Sequence, residues 1–123
     1  MTPTLIILVA YLLGSIPFGL VGKFFFKIRD PRTFGSKNIG ATNILRSGNK
    51  KAAAFTLFFD MFKGFLAVLI ASYIEKDLVY VAILSVVFGH IFPIYLLFKG
   101  GKGVATFLGA LLSYSAVVGS LTL

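Results

Sequence analysis

Leu5-Ile6-Ile7-Leu8-Val9-Ala10-Tyr11-Leu12-Leu13-Gly14-Ser15-Ile16-Pro17-Phe18-Gly19-Leu20-Val21 is nearly all apolar, and it lies in a stretch, Met1 to Gly22, that carries no charge. A bilayer's hydrocarbon core is about 30 Å thick, and a helix rising 1.5 Å per residue crosses it in about 20 residues. This stretch can therefore span a membrane. A signal peptide would carry a basic region ahead of its apolar run. Met1-Thr2-Pro3-Thr4 has none, and the positive charges follow instead at Lys23, Lys27, Arg29 and Arg32. The segment reads as a retained first span that enters from outside and delivers its C-terminal end to the cytoplasm.

Three further apolar stretches follow. The second span runs from Lys50 to about Ile74 and contains Asp60 and Lys63. The third, Leu78 to Phe98, has no formal charge but holds His90 and Pro93, and the fourth, Gly103 to Leu123, is uncharged throughout. Hydrophobic residues make up 58% of the 123 and mean hydropathy is +0.95, too apolar for a soluble domain. The expected architecture is all-α: a polytopic transmembrane bundle of about four spans, forming a single domain over residues 1–123.

The net charge of +8 raises nucleic acid as a partner, but the basic residues sit between apolar stretches and so mark topology instead. Residues 23–51 hold eight of the twelve basic side chains, and the loop before the fourth span adds Lys99 and Lys102. Glu75-Lys76-Asp77, between spans two and three, has one. The positive-inside rule makes the first and third loops cytoplasmic and places Tyr73 and Tyr80 at the outer interface. Without cysteine there is no disulfide or thiolate metal site, and no other metal cluster or cofactor motif is present.

The chemistry is concentrated in those two cytoplasmic loops. The first contains Gly35-Ser36-Lys37-Asn38-Ile39-Gly40-Ala41-Thr42-Asn43-Ile44-Leu45-Arg46. Its glycines let successive N–H groups turn toward one anion, its short polar side chains add neutral donors, and Arg46 offers a planar fork suited to phosphate. The third loop, Phe98-Lys99-Gly100-Gly101-Lys102-Gly103-Val104-Ala105-Thr106, opens directly into the fourth span, where free N–H groups and the helix dipole favour an anion. It is not a Walker A loop, because Tyr95 and Gly103 occupy that motif's glycine and hydroxyl positions. Asp60 and Lys63 share a helix face deep in the second span and suit either a structural ion pair or a role in chemistry. His90, about two turns before the glycine-rich loop, suits either helix packing or the site.

In order and spacing, the first-loop motif with Arg46, then Asp60-x-x-Lys63-Gly64, then Gly89-His90-x-x-Pro93 leading into the third loop, resemble the PlsY family of bacterial membrane acyltransferases. That resemblance covers nearly the whole chain. It implies transfer of a fatty acyl group from acyl-phosphate to the 1-position of glycerol 3-phosphate, giving lysophosphatidate in phospholipid biosynthesis at the bacterial inner membrane. Ser36 and Arg46 would bind glycerol 3-phosphate and line the reaction centre. Lys102 with the backbone of Gly100, Gly101 and Gly103 would hold phosphate. Asn38, Gly40, Thr42, Asn43 and Thr106 would complete the lining, and His90 would join the catalytic set, with Asp60 and Lys63 in support. His90, Asp60 and a substrate phosphate oxygen are the candidate proton acceptors. Membrane lipids and a soluble enzyme that makes acyl-phosphate are the expected partners. Lys37 stands where the family commonly has Gly, and the family's third motif, rich in His, Asn and Glu, would lie beyond Leu123, so the chain reads as an N-terminal fragment. The His-x-x-x-x-Asp acyltransferase class is excluded, since Tyr95 follows His90 by five residues. Two rivals are an anion transporter or channel subunit and a non-catalytic truncated membrane scaffold. The first is opposed by basic motifs confined to one face and by the lack of an inverted repeat.

Overall fold

A computed structural model describes residues 2–97 and 100–122, except for the side chains of 117–122. The described residues are helical with no strand. The helices are α1 (Thr2–Ser15), α2 (Phe18–Phe26), α3 (Ala41–Leu45), α4 (Lys50–Ile74), α5 (Val79–Ile91) and α6 (Val104–Thr122). Thr2–Phe26, Lys50–Ile74 and Lys76–Leu96 are each long and apolar enough to cross a bilayer, and α6 is an apolar helix of 19 residues, about 28 Å at 1.5 Å per residue. The expected polytopic bundle is thus present, and the second span has the expected bounds.

Two spans are not the continuous helices expected. Span one breaks at Ile16-Pro17, because Pro17 has no N–H to donate back to Leu13 and its ring disfavours helix at Ile16. The Leu13 carbonyl instead accepts from the N–H of Ile16 at 3.2 Å, and the Pro17 carbonyl starts α2 by accepting from Leu20 and Val21, each at 2.9 Å. Span three ends at Ile91, well short of Phe98, because Pro93 stops α5, and a 3-10 turn at Ile94–Leu96 follows. Phe98 and Lys99 lie outside the described residues, as do Met1 and Leu123 at the ends of spans one and four.

The helices pack as two close pairs, α1 with α5 and α4 with α6, and α4 also touches α1, α2, α3 and α5. In a bilayer apolar side chains gain little by leaving lipid for one another, so helices associate through close backbone packing at small residues. Both pairs do this reciprocally. A Cβ on Gly14 would fall on the Val86 carbonyl and one on Gly89 on the Tyr11 carbonyl, while Gly64 meets the Thr106 carbonyl and Gly109 that of Met61. Between the pairs lies a core of small and branched residues including Ala67, Val68, Ala71, Ala82 and Val86. Leucines and phenylalanines such as Leu8, Phe58 and Leu84 are exposed on the outside, as a lipid-facing surface requires.

Candidate active site

The first loop is built around Asn43. Its side-chain amide donates to the carbonyls of Pro31 (2.8 Å), Phe34 (3.2 Å) and Asn38 (2.8 Å), while its Oδ1 accepts from the Ser36 N–H at 3.1 Å. One buried side chain therefore gathers a loop that has no regular structure of its own. Gly35, at φ +55°, turns the chain tightly against Asn43, and Lys37 follows in the left-handed region at φ +62°. Glycine is favoured at such an angle, which gives a physical reason for the family's glycine at the position Lys37 fills. Asn38 closes the next turn by accepting from the Gly40 N–H at 2.8 Å, and α3 then carries Thr42 and Asn43 to Arg46. Upstream, Asp30 anchors the loop. Its carboxylate bonds Arg32 at 2.6 Å and lies 3.6 Å from Lys23, and the Arg32 guanidinium holds the Asp30 carboxyl down at about 2.

The third loop is fastened to α5. Because Pro93 ends that helix, the His90 and Ile91 carbonyls lack their usual partners. The Gly101 N–H donates to His90 (3.1 Å) and that of Gly100 to Ile91 (2.9 Å). This corrects the expectation that Gly100 and Gly101 hold phosphate: their N–H groups are committed to helix carbonyls, and neither residue lines the cavity described below. A Cβ on Gly101 would fall against the His90 ring, so this glycine makes room for the imidazole. Gly103, at φ +86°, turns the chain into α6, its carbonyl accepting from Phe107 at 2.9 Å.

These two loops meet. A cavity of about 260 Å³ is lined from the first loop by Ser36, Asn38, Gly40, Thr42, Asn43 and Arg46, and from the third by Lys102 and Gly103 with the first turn of α6. Asp60 and His90 form part of its wall. Asp60 lies ten residues into α4, about 15 Å from that helix's start, so the cavity reaches well into the membrane-spanning part of the bundle. Its remaining wall includes Leu57, Val104 and Leu108, each 46–64% exposed toward the lipid-facing surface. The cavity is therefore cationic at one end, through Arg46, Lys102 and the α6 N-terminus, and apolar at its side.

Beneath it lies a buried polar cluster. Lys63 Nζ lies 3.2 Å from Asp60 Oδ1, donates to the Ile16 carbonyl at 2.9 Å, and sits 5.7 Å from the centre of the Phe18 ring. His90 Nδ1 is 3.8 Å from the same Asp60 oxygen and has no hydrogen-bond partner among the described residues. The break at Ile16-Pro17 thus supplies a carbonyl, off the regular helical ladder, that receives a lysine buried 47 residues away in sequence. That link was missed from the sequence; Pro17 inside an apolar run was its one visible signal.

Two other expected site residues are placed differently. Asn43 touches the cavity, but with its amide and oxygen fully used it organises the loop, whereas it was expected to offer donors to a ligand. Thr106 is buried between α6 and α4, away from the cavity, where its backbone receives Gly64. Lys63 lies behind Asp60 and outside the lining. Ser36, Thr42, Arg46 and Lys102 are exposed at the mouth.

A cationic cavity with a lipid-facing wall, set in the end of a transmembrane helix bundle, defines a membrane protein suited to a ligand that is part anion and part lipid. The chain belongs to the glycerol-3-phosphate acyltransferase family, whose model matches residues 4–123. It is similar to the glycerol-3-phosphate acyltransferase of Nitrosospira multiformis (54% identity, covering 98% of this chain and 63% of that protein) and to that of Nitrosomonas europaea (49%, covering 100% and 64%). The crystal structure of PlsY, an integral membrane glycerol 3-phosphate acyltransferase in its glycerol 3-phosphate form, superposes with a TM-score of 0.81 at 39% identity, covering 99% of this chain and 63% of that one. The lysophosphatidic acid form of the same protein gives 0.80. The chain thus spans about 63–64% of the length of these relatives.

Proposed function

We propose that this chain is part of an enzyme that transfers a fatty acyl group from acyl-phosphate to the 1-position of glycerol 3-phosphate, releasing phosphate and lysophosphatidate. The observation that carries this reading is the shared cavity: two loops more than 50 residues apart bring Ser36, Arg46 and Lys102 to one pocket whose side wall is leucine. Acyl-phosphate is already activated, so catalysis is largely a matter of placing the hydroxyl against the carbonyl and facing donors to the developing oxyanion. Arg46 and Lys102, with the free N–H groups at the start of α6, hold the phosphates, and Ser36 orients the acceptor. Leu57 and Leu108 guide the acyl chain in from the bilayer. The hydroxyl oxygen bonds to the acyl carbon as the carbon–phosphate oxygen bond breaks, and the proton passes to a substrate phosphate oxygen, His90 or Asp60, the three acceptors within the cavity.

The loops face the cytoplasm in this reading, with the enzyme in the bacterial inner membrane and its acyl-phosphate supplied by a soluble enzyme. Eight basic residues over residues 23–51, from the last turn of α2 to the first turn of α4, against one between α4 and α5, support that orientation. Residues 1–123 act as one transmembrane acyltransferase domain. In the intact enzyme reconstituted into proteoliposomes and fed acyl-phosphate, Lys102→Ala or Arg46→Ala is expected to cut acyl transfer at least about tenfold, each removing a charge-assisted phosphate contact. Wild-type rates from either variant, or substrate-dependent phosphate flux without acyl transfer, would overturn the assignment.

A further inference from the structure

A cavity larger than the candidate active site lies on a different face of the first loop. It is an open groove of about 820 Å³ between the end of α2 and the start of α4, and it shares only Arg46 with the candidate active site. Lys27, Arg29, Lys50 and Lys51 line it beside Arg46, with Phe26, Ile28 and Phe34 forming apolar wall. None of these five cations is in an ion pair among the described residues. The only acid between residues 23 and 51 is Asp30, which is already bound to Arg32 and Lys23. Five exposed like charges around one groove, with no acid among them to pair, make it a surface that attracts an anion.

Three features indicate what that anion is. The groove lies where two membrane-spanning helices leave the bilayer, which sets it at the depth of lipid head groups. Asn49 caps the Ala52 N–H of α4 at 2.9 Å, leaving the N–H groups of Lys50 and Lys51 without partners inside the helix, beside Gly48, where a side chain would meet nothing. The Arg29 guanidinium is held 5.7 Å from the centre of the Phe34 ring, and Phe26 and Ile28 extend the groove's apolar wall toward the membrane-spanning end of α2. A soluble anion would match the charges but leave that apolar wall without use, whereas a phospholipid at head-group depth uses both.

We propose that this groove is a binding site for an anionic membrane phospholipid, its phosphodiester among Arg29, Lys50 and Lys51 and its acyl chains along Phe26 and Ile28. The test is lipid retention by the purified chain in native mass spectrometry, using phosphatidylglycerol with phosphatidylcholine as the zwitterionic control. Phosphatidylglycerol is expected to be retained over phosphatidylcholine, retention is expected to fall as salt rises, and Arg29→Gln/Lys50→Gln/Lys51→Gln is expected to weaken retention at least about tenfold, since each basic residue near a charged surface contributes about fivefold. Inorganic phosphate at millimolar concentration is expected not to displace the lipid. Should the triple variant fail to fold, Lys51→Gln alone carries the test with a loss of about fivefold. Equal retention of the two lipids, unchanged retention in the folded variant, or displacement by phosphate would overturn the proposal.

Discussion

Asn43 carries two kinds of information that a sequence does not separate. A short amide in a glycine-rich loop can face a ligand or gather the loop, and here its two N–H groups are shared among three carbonyls, leaving no donor for an anion. The loop that carries Ser36 and Arg46 is thus held together by the Asn43 side chain. Removing the amide strands the carbonyls of Pro31, Phe34 and Asn38, each costing about 1–3 kcal/mol where water does not reach it. Asn43→Ala is therefore expected to lower stability by about 3 kcal/mol and to reduce turnover with it. Asn43→Asp is expected to be at least as damaging, because it keeps the acceptor for Ser36 but sets a carboxylate against three carbonyls. Thermal unfolding in detergent checks both. An Asp variant as stable as wild type would show that the donated bonds do not matter.

At the scale of the elements, the breaks and the close contacts position the site, and these were the least legible features. Four apolar runs separated by charged loops gave the spans, because membrane thickness constrains helix length strongly. Pro17 and Pro93 were visible, but proline is tolerated within many membrane helices, so neither residue by itself announces a break. The consequence of each lies in distant partners: the Ile16 carbonyl receives Lys63, and the His90 and Ile91 carbonyls receive Gly101 and Gly100. The same contacts explain why a glycine-rich loop that reads as a phosphate loop does not offer every N–H to an anion. Composition reveals that a backbone can turn, and only three-dimensional neighbours reveal whether its donors are already taken. The close pairing of α4 with α6 makes a further test. Gly109→Ala would drive a methyl into the Met61 carbonyl and is expected to cost about 1–3 kcal/mol. Leu84→Ala, on the lipid-facing surface, is expected to stay within about 0.5 kcal/mol in the same unfolding assay. Equal effects from the two would argue that backbone proximity does not hold this pair together.

For the whole molecule, part of the candidate site was legible before any coordinates, because Arg46, His90 and Lys102 each fall near the end of a span and spans of similar length bring such ends to a common level, whereas Ser36, ten residues beyond α2, is brought in by the folding of the first loop. The leucine wall and the separate basic groove were not legible, since both depend on which helix faces turn toward lipid. What ties the molecule to its proposed chemistry is the meeting of the first and third loops. The chain has no cysteine, so Ser36→Cys with Lys102→Cys introduces two unambiguous thiols. A short bifunctional thiol reagent applied to the membrane-embedded double variant is expected to join residues 36 and 102 within the chain, while a Ser36→Cys/Lys76→Cys pair, with one thiol at each end of the bundle, stays unjoined. Failure to join 36 and 102, with both thiols reactive to membrane-impermeant reagent from opposite sides of the membrane, would contradict the shared cavity.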